Sequence, residues 1–351
     1  MAKTKIAING FGRIGRIFFR HAFECPDVEI VAVNDLTEPE NMAYLLKYDT
    51  VYGPYDKNVK CSPYGRSPEG RQMSNVKNIL VVDGKKIRIL QEKDPSKLPW
   101  KELGVDIVVE STGVFESNEK AAAHLTAGAK RVVISAPAKD EITPTATPNV
   151  GEEFLKNGKI TSNGSCTTNA ATPVMAVMSE NPGIKKAVLS TVRAYTASQG
   201  LIDGSDKKND YRRARAAAQN IVPSTSGVAT AAIKAFPSLN GKFIGIALRV
   251  PIICGSIIDF TFIANRSTTA EEINFIFKKA AAEKQWKGIL TVTEEPLVSS
   301  DILKNYHGSI VDLSMTKVVD GDLVKVLSWY DNEWGYASML LKHVLAVSKL
   351  L

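Results

Sequence analysis

Apolar positions change their period twice within the opening stretch of the chain. Lys5-Ile6-Ala7-Ile8-Asn9 is a short apolar run that predicts a strand, and beyond Gly12 the apolar positions take helical spacing through Phe18, Phe19, Ala22 and Phe23. Pro26 ends that helix, and Val28 to Val33 predicts a second strand, completing a strand, helix, strand unit. Further strands are expected at Ile79 to Val82, Lys86 to Leu90, Ile107 to Glu110 and Arg131 to Ile134, with an alanine-rich helix around Glu119 to Ala127. That alternation is the pattern of an α/β domain. Between Lys60 and Val76 the chain turns polar, with Pro63, Gly65, Pro68 and Gly70, and reads as a surface insertion. After Pro173 the pattern shifts to longer β-prone stretches at Lys186 to Arg193, Phe243 to Val250 and Ile257 to Ile263, with a helix expected over Ala270 to Lys284. A second domain is therefore expected from Cys166. The last stretch, Tyr336 to Leu350, carries Leu340, Leu341, Val344 and Leu345 at helical spacing and is expected to return to the first domain.

Composition narrows the classes. With 351 residues, 44% hydrophobic and 23% charged, the chain has enough apolar matter for large cores, which excludes disorder, collagen and coiled coil as whole-chain descriptions. Its longest apolar segment, Pro251 to Ile263, is cut by Gly255, Ser256 and Asp259, so no membrane span is expected. The net charge of +7 suits nucleotides or anionic metabolites but is spread too evenly for a nucleic-acid footprint. Cys25, Cys61, Cys166 and Cys254 are too widely spaced for a disulfide scaffold or a metal pair, and the first strand begins too early to leave room for a targeting segment. A cytoplasmic protein without metal, membrane or nucleic-acid partner is the expectation.

Gly10-Phe11-Gly12-Arg13-Ile14-Gly15 falls between the first strand and its helix, where missing β-carbons allow a tight turn and close approach of a pyrophosphate to helix-end amides. Asp35 follows at the end of the second strand, placed to accept hydrogen bonds from ribose hydroxyls and to repel a 2′-phosphate. Together they point to NAD rather than NADP; the plainer alternative is a glycine turn beside a surface carboxylate. Cys166 lies in Ser162-Asn163-Gly164-Ser165-Cys166-Thr167-Thr168-Asn169-Ala170, among turn and capping residues ahead of an apolar run. At a helix N-terminus, unpaired amides favour thiolate and can stabilise an oxyanion. A small buried cysteine fits the same residues.

Four segments carry a resemblance: Ile8-Asn9-Gly10-Phe11-Gly12-Arg13-Ile14-Gly15-Arg16, Ser111-Thr112-Gly113-Val114-Phe115, Ser165-Cys166-Thr167-Thr168-Asn169 and Trp329-Tyr330-Asp331-Asn332-Glu333-Trp334-Gly335-Tyr336. With them the chain resembles the phosphorylating glyceraldehyde-3-phosphate dehydrogenases of the bacterial and eukaryotic type. The resemblance implies a Rossmann-type NAD-binding domain over 1–165, with 332–351 as a C-terminal helix returning to it. Residues 166–331 would form an α+β catalytic domain built on a mostly antiparallel sheet, in a subunit that usually forms a homotetramer. It implies NAD-dependent oxidation of glyceraldehyde 3-phosphate, with inorganic phosphate, to 1,3-bisphosphoglycerate through a thioester on Cys166. Cofactor contacts are implied at Asn9, Gly10, Phe11, Gly12, Arg13, Ile14, Gly15, Asn34, Asp35, Ser111, Thr112, Gly113, Ser135, Asn332 and Tyr336. Substrate and phosphate contacts are implied at Ser165, Thr167, Thr196, Arg213, Ser226, Gly227 and Arg249.

One position departs from that pattern. Where the family carries a histidine that stabilises the thiolate and exchanges the hemiacetal proton, this chain has Arg193. A guanidinium can stabilise the sulfur and an oxyanion but cannot accept a proton near neutrality. General acid–base help is worth about 10²- to 10⁴-fold, so reduced turnover is expected unless another group substitutes. His21, His124 and His343 read as helix surface or packing residues, His307 is the least implausible substitute, and Tyr195 or water is a candidate relay. Ile252-Ile253-Cys254-Gly255 replaces a usual threonine surround, the loop before Tyr211 looks lengthened, and Ala170 stands where a second cysteine is common. Two alternatives stay open: a catalytically impaired NAD-binding regulatory paralogue, and a dehydrogenase for another aldehyde such as erythrose 4-phosphate.

Overall fold

A computed structural model describes residues 3–62, 78–205, 210–225 and 227–351, which form two compact units. One comprises the chain up to Pro144 with Phe154–Asn163 and Leu340–Leu351; the other comprises Thr145–Glu153 and Gly164–Met339. Most of the predicted 60–76 insertion, Ser226 and part of the loop before Tyr211 lie outside the described residues.

In the first unit the elements run β1 (Thr4–Asn9), α1 (Arg13–Glu24), β2 (Val28–Asn34), α2 (Pro39–Lys47), β3 (Val59–Ser62), β4 (Ile79–Val82), β5 (Lys85–Leu90), α3 (Trp100–Leu103), β6 (Ile107–Glu110), α4 (Asn118–Thr126), β7 (Arg131–Ile134) and β8 (Ile160–Ser162). They build one sheet in the order β3-β4-β5-β2-β1-β6-β7-β8. Pairing is parallel from β5 through β8, while β3-β4-β5 is an antiparallel edge. The parallel strands are covered on both faces, which is why β1 and β6 read as unbroken apolar runs. Asp83 and Gly84, both at positive φ, make the tight hairpin turn between β4 and β5. Trp100, Ala121, Val108, Val132 and Ile160 close one face of the core.

The second unit holds α5 (Cys166–Glu180), β9 (Ile184–Ala194), β10 (Val222–Thr225), α6 (Val228–Ala235), β11 (Phe243–Val250), β12 (Ser256–Ala264), α7 (Ala270–Ala282), β13 (Leu290–Thr293), β14 (Ser309–Val319), β15 (Leu323–Tyr330) and the first turns of α8 (Trp334–Ser348). Its sheet runs β10-β11-β9-β12-β15-β14-β13 and is mostly antiparallel, with parallel pairs only at β11/β9 and β13/β14. The register of β11 on β9 sets Arg249 beside Arg193. Along β12 buried and half-buried residues alternate strictly, the signature of a sheet with one covered face.

Pro173 lies inside α5, because almost the whole helix from Cys166 to Met178 is buried and its packing outweighs the lost backbone bond. The domain bounds differ from the sequence expectation. Thr145–Glu153, expected with the first domain, groups with the second: the hydroxyls of Thr147 and Thr172 on α5 lie 2.6 Å apart, and the Asn149 amide donates to the Gln285 carbonyl at 2.8 Å. From Leu340 onward α8 belongs to the first unit, where His343 Nε2 meets the Thr161 hydroxyl at 2.9 Å. Among the described residues no helix is long and apolar enough to cross a membrane.

Candidate active site

In the first unit the turn after β1 is shaped by three glycines with three separate constraints. Gly10, at φ +92°, donates its amide to the Asn34 carbonyl at 2.8 Å, and a β-carbon there would stand 2.6 Å from the Thr112 nitrogen. At Gly15 a β-carbon would stand 2.1 Å from the Gly10 carbonyl oxygen, so only glycine lets α1 pass this close to the turn. Gly12 is different. Nothing lies within 4 Å of its missing β-carbon, and it opens α1 without any side-chain cap. A pyrophosphate fits that cradle by charge and by clearance.

The cradle opens on a cavity of about 870 Å³ lined by Asn9, Gly10, Gly12, Asn34, Asp35, Ser111 and Thr112. Leu36 and Val114 also line it, at 60% and 58% exposure, giving apolar walls for a flat heterocycle; sequence reading missed both, since a single exposed aliphatic residue carries no signal. Asp35 accepts the Phe11 amide at 2.6 Å and the Thr37 amide at 2.9 Å, which fixes its carboxylate at the cavity edge. Phe11, Arg13, Ile14, Gly15, Gly113 and Ser135 are not part of the lining. The Phe11 ring packs edge-on against Phe19, Arg13 pairs with Asp49, and the Ser135 amide donates to the Glu110 carbonyl at 2.9 Å. Gly12→Val is expected to lower NAD affinity at least about tenfold with little change in melting temperature, whereas Gly15→Val lowers the melting temperature itself. Calorimetric titration beside thermal melts separates the two.

A buried polar chain backs this cavity. Asn34 Nδ2 donates to Asn9 Oδ1 at 2.7 Å, and Asn9 Nδ2 donates to Glu110 Oε2 at 2.6 Å. Trp100 Nε1 donates to His124 Nδ1 at 3.0 Å. An indole can only donate, so the His124 proton sits on Nε2, 3.0 Å from Glu110 Oε2. The other Glu110 oxygen accepts the Thr112 amide at 2.8 Å and its hydroxyl. His124, expected as a helix surface or packing residue, thus anchors the carboxylate that holds the Ser111–Phe115 loop.

The second unit brings a thiol to a helix start. Ser165 caps α5, accepting the Thr168 amide at 3.1 Å while donating its own amide to the Thr168 hydroxyl at 3.1 Å. Gly164, at φ +65°, lets the chain turn into this cap, and the Tyr336 hydroxyl donates to its carbonyl at 3.1 Å. Cys166 is then the first residue of α5, and Arg193 Nη2 donates to its Sγ at 3.2 Å.

Four groups line up beyond that contact. Arg193 Nη1 lies 3.4 Å from the Thr167 hydroxyl, Thr167 is 3.0 Å from the Tyr330 hydroxyl, Tyr330 is 2.8 Å from the Thr191 hydroxyl, and Thr191 donates to the Ile257 carbonyl. The guanidinium can only donate and the carbonyl only accept, so each hydroxyl in between passes its proton onward. Burial pushes the Tyr330 phenol up, and its proton is committed to Thr191. Burial opposes the charge of Arg193, but the adjoining Cys166 sulfur and Tyr330 oxygen hold its pKa above the ordinary arginine value. Of the candidate relays, His307 pairs with Asn305 and stacks on Tyr306, and the hydrogen bonds of Arg193 go to Cys166 and Thr167 rather than to Tyr195.

Four more cationic or hydroxyl donors gather here. Buried Arg249 lies 3.4 Å from the Ala194 carbonyl and 3.5 Å from the Thr196 hydroxyl, and Arg213 Nη2 donates to Ser198 at 2.6 Å, which in turn meets Thr196 at 2.9 Å. Burial, together with repulsion from Arg193 and Arg213, pushes the Arg249 guanidinium down to about 9. Such crowding of like charge calls for an anion. Gly227 caps α6 without a side-chain bond. Asn332 keeps its Oδ1 on the Gly255 amide at 3.1 Å and the Ser256 hydroxyl at 2.9 Å, leaving its amide nitrogen without a partner among the described residues. Among the described residues no cluster fit for a metal ion occurs, and none of the four cysteines forms a disulfide.

Comparison with known proteins bears on both sites. The model for the glyceraldehyde 3-phosphate dehydrogenase NAD binding domain matches residues 4–118, and that for the C-terminal domain matches residues 165–332. The chain is 46% identical over 349 residues to the glyceraldehyde-3-phosphate dehydrogenase of Streptomyces coelicolor, covering 99% of each chain. It is 48% identical over 335 residues to that of Geobacillus stearothermophilus, covering 95% of each. Similarity on that scale spans the glycine cradle, the cysteine helix and the arginine cluster alike, and the chain belongs to the glyceraldehyde-3-phosphate dehydrogenase family.

Proposed function

We propose that this chain catalyses NAD-dependent, phosphorylating oxidation of glyceraldehyde 3-phosphate, with Cys166 as nucleophile and Arg193 standing where relatives use histidine. The observation that carries this reading is the Cys166 sulfur at the start of α5, 3.2 Å from a guanidinium and beside the Arg249–Arg213–Thr196 cluster. The sulfur attacks the aldehyde carbon, forming a C–S bond, and the α5 amides with Arg193 stabilise the oxygen that gains charge. When bound, NAD supplies the hydride acceptor. Arg249, Arg213 and Thr196 hold the anionic groups of substrate and phosphate. Phosphate attack on the resulting thioester releases the acyl phosphate and returns the thiolate to its guanidinium partner.

Asp35 at the cavity edge supports NAD over NADP. Exposed Val188, Ile244 and Ile246 on adjoining strands β9 and β11 support a homotetrameric assembly, and four cysteines outside any disulfide support a cytoplasmic setting. The test is NADH formation from glyceraldehyde 3-phosphate, NAD and phosphate, run beside erythrose 4-phosphate; no NADH from the first substrate sinks the reading. Arg249→Met is expected to weaken phosphate binding at neutral pH, readable by calorimetry, because it removes a buried guanidinium crowded by Arg193 and Arg213.

A further inference from the structure

The proposed reaction leaves one proton without an acceptor. Arg193 cannot take it, Tyr330 has committed its own proton down the hydroxyl chain to Ile257, and His307 is engaged with Asn305 and Tyr306. The same part of the second unit holds an excess of positive charge. Arg193 and Arg249 are register partners on β9 and β11, and the Nε atoms of both are buried without an acceptor among the described residues. Arg249 is itself buried, with only long contacts to Ala194 and Thr196. Two guanidinium groups with free donors, side by side and away from bulk water, are a site for a doubly charged tetrahedral anion.

We propose that inorganic phosphate held by Arg193 and Arg249 is the general base of the oxidation step, in addition to being the nucleophile of the next one. This inference rests on the reading of Cys166 as the thioester-forming residue. The proton that Cys166 gives up on ionising returns from solvent to the oxygen of the adduct, and the resulting thiohemiacetal loses its C–H hydride to NAD and its O–H proton to the phosphate dianion. The products are the thioester, NADH and the phosphate monoanion, so charge and electrons balance. A dianion whose second ionisation falls near neutrality is matched to this proton, whereas the guanidinium pair can only orient it and the developing oxyanion. A second phosphate dianion, or the first after it yields its proton to solvent, then attacks the thioester carbon.

The experiment is a rapid-mixing measurement of the first NADH turnover with the NAD-loaded enzyme and glyceraldehyde 3-phosphate, without added anion, with phosphate, and with sulfate. Phosphate is expected to raise the rate of that first turnover at least tenfold, because it is the proton acceptor. Sulfate has the same shape and charge but is a far weaker base, so it is expected to bind without accelerating. In Arg193→His the imidazole supplies the base, and the first-turnover rate is expected to lose its dependence on phosphate. Calorimetry on the NAD-free protein is expected to show phosphate and sulfate competing for one site, weakened in Arg249→Met and less so in Arg249→Lys. A wild-type first turnover that is equally fast without phosphate, or equally accelerated by sulfate, overturns the proposal. Absence of NADH in both proteins at every phosphate concentration strikes the Cys166 reading instead.

Discussion

Cys166→Ser is expected to abolish NADH formation, with a loss of at least about 10⁴-fold in kcat, while NAD binding stays intact. A serine hydroxyl at the start of α5 still receives the helix amides, but Arg193 donates rather than accepts, and a hydroxyl is far too weak an acid to ionise beside it near neutrality. The thiol differs because the sulfur ionises far more readily and the guanidinium then holds the anion by a charge-assisted bond. The dinucleotide cavity is lined by residues of the first unit alone, so calorimetry with NAD reports on that unit, and a thermal melt beside it reports on folding of the unit that carries the substitution. Turnover near wild type in Cys166→Ser refutes the covalent route.

The second large effect runs in the opposite direction. Arg193→His is expected to raise steady-state NADH formation by about 10²- to 10⁴-fold at low phosphate, the usual worth of a general base. The rate is also expected to show a limb in its pH profile in the imidazole range that persists at low phosphate, whereas in the wild type a limb near neutrality belongs to phosphate and scales with its concentration. Position 193 lies on β9 with Arg249 as its register partner, and the thiol is within reach of its side chain, so a base introduced there faces the reacting sulfur. A companion Arg193→Met removes charge without adding a base and is expected to slow alkylation of Cys166 by iodoacetamide at neutral pH. A rate in Arg193→His no higher than wild type at low phosphate contradicts this account.

How much of this was legible depends on the range over which a residue's meaning is decided. The β1–α1–β2 unit was readable because the period changes and the three glycines fall within one short stretch. The start of α5 was readable for the same reason: Ser165 and Thr168 are three positions apart and form their cap locally. His124 gave no signal because its partners Glu110 and Trp100 are brought to it by β6 and α3. Tyr330 read only as part of a motif; its role in the hydroxyl chain depends on strands β9 and β15 both flanking β12. Most hidden of all was the pairing of Arg193 with Arg249, which a parallel register creates across more than fifty intervening residues.

That register has a pharmacological side. An electrophilic warhead aimed at Cys166 and carrying a phosphonate arm would meet two guanidinium forks here, and Arg193→His would leave it one. Doubly charged inhibitors of that design are expected to discriminate in favour of this chain, and the margin should collapse when either arginine is replaced.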